Sequence, residues 1–244
     1  MSELSVEKED LKWKNLYRIG GMAAILAAVL LLIEIIVFTI WPQPTTAIGH
    51  FTLLESNKLI GLIDFYLLEF IAYILFIPMF FAIYVALKRF NESYMALAII
   101  LAIVGITIFL ATNNPFSMLS LSNQYMTATT EAQKSMLLAA GQAMLVNTNQ
   151  RAVGGFNTGF LLISIAGLLY SVVMLHSDIF SKKIAYAGIF AFAISLVDYF
   201  RVIFLPSEVI LILVIAVLSG ILLLIWLILV GRRLMQLGSL ISKE

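Results

Sequence analysis

The chain has 244 residues, 62% hydrophobic and 12% charged, with a formal net charge of +1 and a mean hydropathy of +1.04. Soluble domains run near about 45–50% apolar and about 25% charged, so this chain carries more apolar surface than a water-soluble fold can hide, and lipid is its expected solvent. The balanced charge excludes a nucleic-acid partner recognised through a basic patch, and the absence of cysteine excludes disulfides, thiolate nucleophiles and cysteine metal ligands.

Residues 1–16 are charged and of mixed sign, and read as a cytoplasmic tail or a short interfacial helix, with Trp13 and Tyr17 near the boundary. The apolar run that follows reaches Trp41, longer than the core of a cleavable signal, and reads as an uncleaved first span. A hydrocarbon layer of about 30 Å needs about 20 helical residues. Six runs qualify: 17–41, 59–87, 94–112, 152–175, 183–205 and 207–230. Their length selects helices over barrel strands of about 10 residues. Pro78 is expected to kink the second span, and Pro206-Ser207-Glu208 suits a tight turn between the fifth and sixth. The long loop, 113–151, opens polar and turn-prone. Its second part starts with Thr130 and Gln133 at capping-box spacing and carries an apolar stretch, 136–146, too short to cross. An external amphipathic helix lying on the bilayer or over the bundle mouth is expected there. Residues 231–244 read as a cytoplasmic tail. The fold class is therefore an all-α, polytopic membrane bundle of six transmembrane helices, spanning 17–230, plus that external helix.

Lys and Arg placement orients the bundle. With the N-terminus inside, Lys8, Lys12, Lys14, Arg18, Lys88, Arg89, Lys182, Lys183, Arg232, Arg233 and Lys243 fall on the inner side, eleven of the 15 basic residues. Both termini are expected in the cytoplasm of a cell bounded by this plasma membrane.

Away from their ends, the apolar runs hold five charged residues: Glu34, Asp64, Glu69, Asp198 and Arg201. At about 1.5 Å per residue, Glu34 and Asp198 lie about 10 Å below the outer boundary, and Asp64 and Glu69 about 8 and 15 Å below it. Charges at such depth cost a few kcal/mol each on insertion scales and face the bundle interior, a partner or water. Asp198 and Arg201, three apart, share a face and can pair. On a continuous helix Asp64 and Glu69 are about 140° apart and cannot point at one spot. Glu69 then carries Tyr66 and Tyr73 on its face, and Asp64 caps a helix or meets a neighbour. Arg151 and Glu208 sit near the outer interface. The expected site is an outward-facing polar pocket built by Glu34, Glu69, Asp198 and Arg201, taking a small molecule or cation. Its alternative is an ion-pair network that fixes helix register.

The stretch "GGFNTG", with Gly155 and Gly159 at four-residue spacing, followed by Ser164, Gly167 and Ser171, suits close helix packing. The "RIGG" of 18–21 and "AVGG" of 152–155 match only at chance level. His50 and His176 fall on opposite sides and cannot share a metal, and no HExxH, G-x-S-x-G or P-loop occurs. No metal or organic cofactor is expected. A transporter or ligand-binding protein leads the functional classes, ahead of a non-catalytic accessory or sensory protein and a carboxylate-based enzyme acting on lipid headgroups.

Three segments carry a family resemblance: "NLYRIGGMAAILAAVLLLIE", "GGFNTGFLLISIAGLLYSVVML" after the long loop, and "SDIFSKKIAYAGIFAFAISLVDYF". With them the chain resembles a family of prokaryotic six-span membrane proteins known as a domain of unknown function. The family's short basic turn commonly holds a proline, where this chain has Ser181-Lys182-Lys183. The resemblance implies the six-span fold and carries over no activity and no site.

Overall fold

A computed structural model describes residues 3–148, 156–205 and 209–240. Ten helices occupy them, with no strand among the described residues. Six reach the length and apolarity needed to cross a membrane, within Lys12–Ile40, Leu67–Leu87, Glu92–Thr127, Thr158–Leu175, Lys182–Phe204 and Val217–Ser239. The protein is an all-helical, multi-pass membrane protein.

The spans are α1 (Glu3–Ile40), α4 (Leu67–Leu87), α5 (Glu92–Thr112), α8 (Thr158–Leu175), α9 (Lys182–Phe204) and α10 (Val209–Leu240). They close a ring in which α1 packs on α4 and α10, α10 on α9, α9 on α8, α8 on α5 and α5 on α4. Glycines set the tightest seams. A Cβ on Gly21 would meet the Gly231 carbonyl oxygen at 2.8 Å, locking α1 to α10, and one on Gly20 would meet the Pro78 carbonyl oxygen at 2.9 Å, locking α1 to α4. On the α5–α8 seam a Cβ on Gly105 would meet the Gly159 carbonyl oxygen at 2.7 Å. Small residues replace the missing hydrophobic drive between helices in lipid by letting backbones touch. Outward-facing Leu26, Ile36, Ile100, Phe200, Ile221 and Ile225 are exposed and form part of the apolar belt.

Between the spans, four short helices stack at one end of the ring as a cap: α2 (Ala47–Ser56), α3 (Lys58–Asp64), α6 (Pro115–Thr127) and α7 (Glu131–Asn147). Side chains start each of them. Thr46, Asn57, Asn114 and Thr130 accept from backbone N–H groups of the first turns, and Thr130 with Gln133 completes a capping box as expected. Phe51, Leu54, Phe65, Tyr66, Met118 and Leu145 give the cap its own apolar core.

Three expectations change. The loop 113–151 holds two helices, because Asn114-Pro115 starts α6 before the Thr130 capping box starts α7. The run 59–87 is not one helix: α3 ends at Asp64, and α4 starts at Leu67 after a turn. Helix α1 continues without a break from the expected tail through the first span. Gly155 and the Pro206–Glu208 turn lie outside the described residues.

Candidate functional site

The turn between α3 and α4 builds the site. Tyr66 adopts φ 62, ψ 22, the left-handed region, which costs a bulky residue of order 1–3 kcal/mol. Packing holds it there. Its ring is buried edge-on against Phe38 and Phe65 at 6.3 and 5.7 Å, and its hydroxyl lies in hydrogen-bonding reach of the Gln43 and Thr148 side chains. Burial, and then the Glu69 carboxylate, pushes that hydroxyl above its usual range, so it remains a proton donor. Gln43 in turn donates through Nε2 to the Asp64 backbone carbonyl at 2.7 Å.

Because the helix breaks at Tyr66, Asp64 and Glu69 are not fixed at the angle of a continuous helix. Both carboxylates come within electrostatic reach of Glu34 on α1. The expected angle assumed one helix through both residues and does not apply across this break. Glu69 sits in the first turn of α4, and its backbone N–H lies against the Glu34 carboxylate, a favourable place for an anion. Glu34 is 4% exposed, and its Oε1 has no hydrogen-bond partner.

On the cap side, Asp64 and His50 are both fully enclosed, with Asp64 Oδ2 3.6 Å from His50 Nδ1 and the His50 ring edge-on to Phe65 at 5.2 Å. Burial raises Asp64 to about 7, and burial lowers His50 to about 4, the Pro44 carbonyl acting the other way. Between these values the folded chain keeps the proton on Asp64, whereas the unfolded chain, with ordinary values of 3.8 and 6.5, keeps it on His50. Both states then bind one proton, and the pair adds little pH dependence to stability from about pH 4 to about pH 6.5. Single replacements expose opposite slopes. In Asp64→Asn, the lowered His50 value gives stability that is present above pH 6.5 and lost as pH falls towards 4. In His50→Gln, the raised Asp64 value gives stability present below pH 3.8 and lost as pH rises through 7. Each slope approaches about 1.4 kcal/mol per pH unit. Thermal unfolding in detergent at stepped pH checks this, and slopes of the same sign in both variants contradict it.

The remaining expected residues are placed elsewhere. Asp198 and Arg201 pair on α9, Nε to Oδ1 at 2.6 Å, and neither is among the charges acting on Glu34. Arg201 is 4% exposed with Nη2 unpartnered. Tyr73 lies one turn below Glu69 on α4, with its ring face to face with Phe109 at 3.7 Å in the main core. Arg151 and Glu208 lie outside the described residues. No group of three His, Cys, Asp or Glu suited to a metal occurs among the described residues.

A second polar centre joins Asn113 and Asn147, which the sequence offers either as residues crowding the outer mouth or as plain loop polarity, to Asn157 of the small-residue stretch. Asn157 starts α8 by accepting from Phe160 N, while its Nδ2 donates to Thr112 Oγ1, Asn113 Oδ1 and the Asn147 carbonyl at 2.6, 2.6 and 3.1 Å. Its own carbonyl accepts from the Tyr199 hydroxyl at 2.9 Å. One side chain thus ties α5, α7 and α8 together, and its backbone holds α9.

Residues 60–231 match the family described as a domain of unknown function, DUF4386. The chain belongs to this family. The matched segment contains Asp64, Tyr66, Glu69, Asp198 and Arg201, and it begins beyond Glu34 and His50. No curated protein and no solved structure matches the chain.

Proposed function

We propose that this protein binds a small cation, and moves it or a proton in exchange, at the buried Glu34 carboxylate beneath the cap, with Glu69 beside it and the Asp64 charge acting from farther off. One observation carries the reading: Glu34 is buried with an unpartnered oxygen, and the charges acting on it are those of two further carboxylates. Like charges gathered in an apolar surrounding are costly, and a bound cation or proton relieves the cost. The broken helix fits this reading, since it sets the start of α4, with Glu69 in its first turn, against the Glu34 carboxylate. In this proposal Arg201 and Asp198 form a separate pair rather than a wall of the same pocket. In a plasma membrane, the bias of basic residues supports an orientation with both termini cytoplasmic and the cap outside.

The test is flux. Liposomes holding the purified chain and a pH-sensitive dye are given inward gradients of sodium, potassium or methylammonium. A cation-dependent pH change at least about tenfold above empty vesicles is expected, lost in Glu69→Gln and kept in Arg89→Gln. Vesicles that behave as empty ones for every cation tried, with folded protein present, overturn the proposal.

A further inference from the structure

At the end of the bundle that carries both termini, the α8–α9 turn and α10 enclose a cleft of about 400 Å³, lined among others by Asp178, Ser181, Ile184, Leu229, Arg232 and Arg233. Two arginines from one helix therefore meet the start of another. Arg233 is fixed by its Nε, which donates to the Ile179 carbonyl at 2.5 Å, so its two terminal amino groups lie outside that bond. Arg232 is exposed beside it. The helix α9 starts at the same cleft with Ser181 at its N-cap, and the serine side chain makes no capping hydrogen bond. The first turn of α9 adds Lys182 and Lys183, both exposed. Two arginines and the positive end of a helix thus border a space that holds one carboxylate, Asp178, and the two lysines follow Ser181 outside its lining.

The walls are of two kinds. Arg232, Arg233 and Ser181 offer donors, while Ile184 and Leu229 present apolar surface from the spans themselves. Lys182 opens the fifth span, and the sixth runs on to Ser239, so the cleft lies at the level where spans leave the hydrocarbon. A ligand matched to it has a phosphate ester with net negative charge and an apolar part beside it. Basic pockets between spans at this level are the setting in which anionic lipid headgroups are held.

We propose that this cleft binds the phosphate of an anionic phospholipid headgroup. It is independent of the carboxylate cluster, which lies at the capped end. Binding is read by thermal unfolding of the full chain in neutral detergent, titrated with phosphatidylglycerol, phosphatidylcholine or inorganic phosphate. Phosphatidylglycerol is expected to raise the unfolding temperature and phosphatidylcholine to leave it unchanged. Arg232→Gln should weaken the phosphatidylglycerol response about fivefold, the effect of one basic group, while Arg89→Gln, at the α4–α5 turn, leaves it intact. Arg233 is spared because it also holds the Ile179 carbonyl. A response to inorganic phosphate equal to that of the lipid retains the phosphate site but assigns it to a soluble ester. Equal responses to the two lipids, or equal losses in both arginine variants, overturn the proposal.

Discussion

Glu34→Gln is expected to make the protein more stable while removing its response to cations. Glutamine keeps the shape of the side chain and an oxygen for the Glu69 backbone N–H, but carries no charge beside the Glu69 and Asp64 carboxylates. The oxygen left unpartnered in the buried carboxylate costs about 1–3 kcal/mol, and much of this is recovered. The expected gain is several degrees in detergent-solubilised unfolding temperature. Glu34→Ala, by contrast, leaves a cavity between α1 and α4 and is expected to lower it. Stability that rises when function is lost is the mark of a group kept for its activity. If glutamine and alanine destabilise alike, Glu34 instead holds the helices together, and the cation proposal loses its main support.

Gly159→Ala is expected to cost about 3 kcal/mol, at the upper end for overpacking. The added methyl would collide with the Gly105 carbonyl oxygen and come within 2.5 Å of the Phe109 backbone nitrogen. Both are backbone atoms of a packed helix and cannot rotate away, so α5 and α8 must separate. Separation would also stretch the bonds of Asn157 to Thr112 and Asn113 across the same seam. Gly220→Ala is the matched control. It lies within α10 with nothing within 4 Å of an added Cβ, and it should gain about 1 kcal/mol from helix propensity alone. Expression yield and unfolding temperature of the two variants should move in opposite directions, and a shared direction contradicts the seam.

The number of crossing helices is legible because bilayer thickness imposes a length that few other constraints imitate. The start of α7 is legible too, since Thr130 and Gln133 stand at capping-box spacing, whereas α8 starts at Thr158 behind Asn157, later than the expected 152. The break inside 59–87 is different. Neither glycine nor proline marks it, and a tyrosine in the left-handed region is chosen by burial among Phe38, Phe65 and the cap, not by its own preference. From that one unreadable turn follows the misjudged angle between Asp64 and Glu69. His50 was set aside because topology keeps it from His176, and its real neighbour, Asp64, became visible only once α2 and α3 were stacked. Gly20 and Gly21, at chance level as a repeat, form contacts on two different seams because adjacent residues face different neighbours around a helix.

The unbroken length of α1 has a mechanical consequence. Its 38 residues extend about 57 Å, nearly twice the hydrocarbon thickness, so the rod protrudes well into water at the terminal end. Gly21 presses on Gly231 partway along it. Glu34 then stands about 20 Å to one side of that fulcrum, and the N-terminal tip stands about 27 Å to the other. A second grip lies about 10 Å nearer the tip, where a Cβ on Gly238 would meet the Lys14 carbonyl oxygen at 3.1 Å, so α10 holds the rod at two heights and a push on the tip is passed to α10 with it.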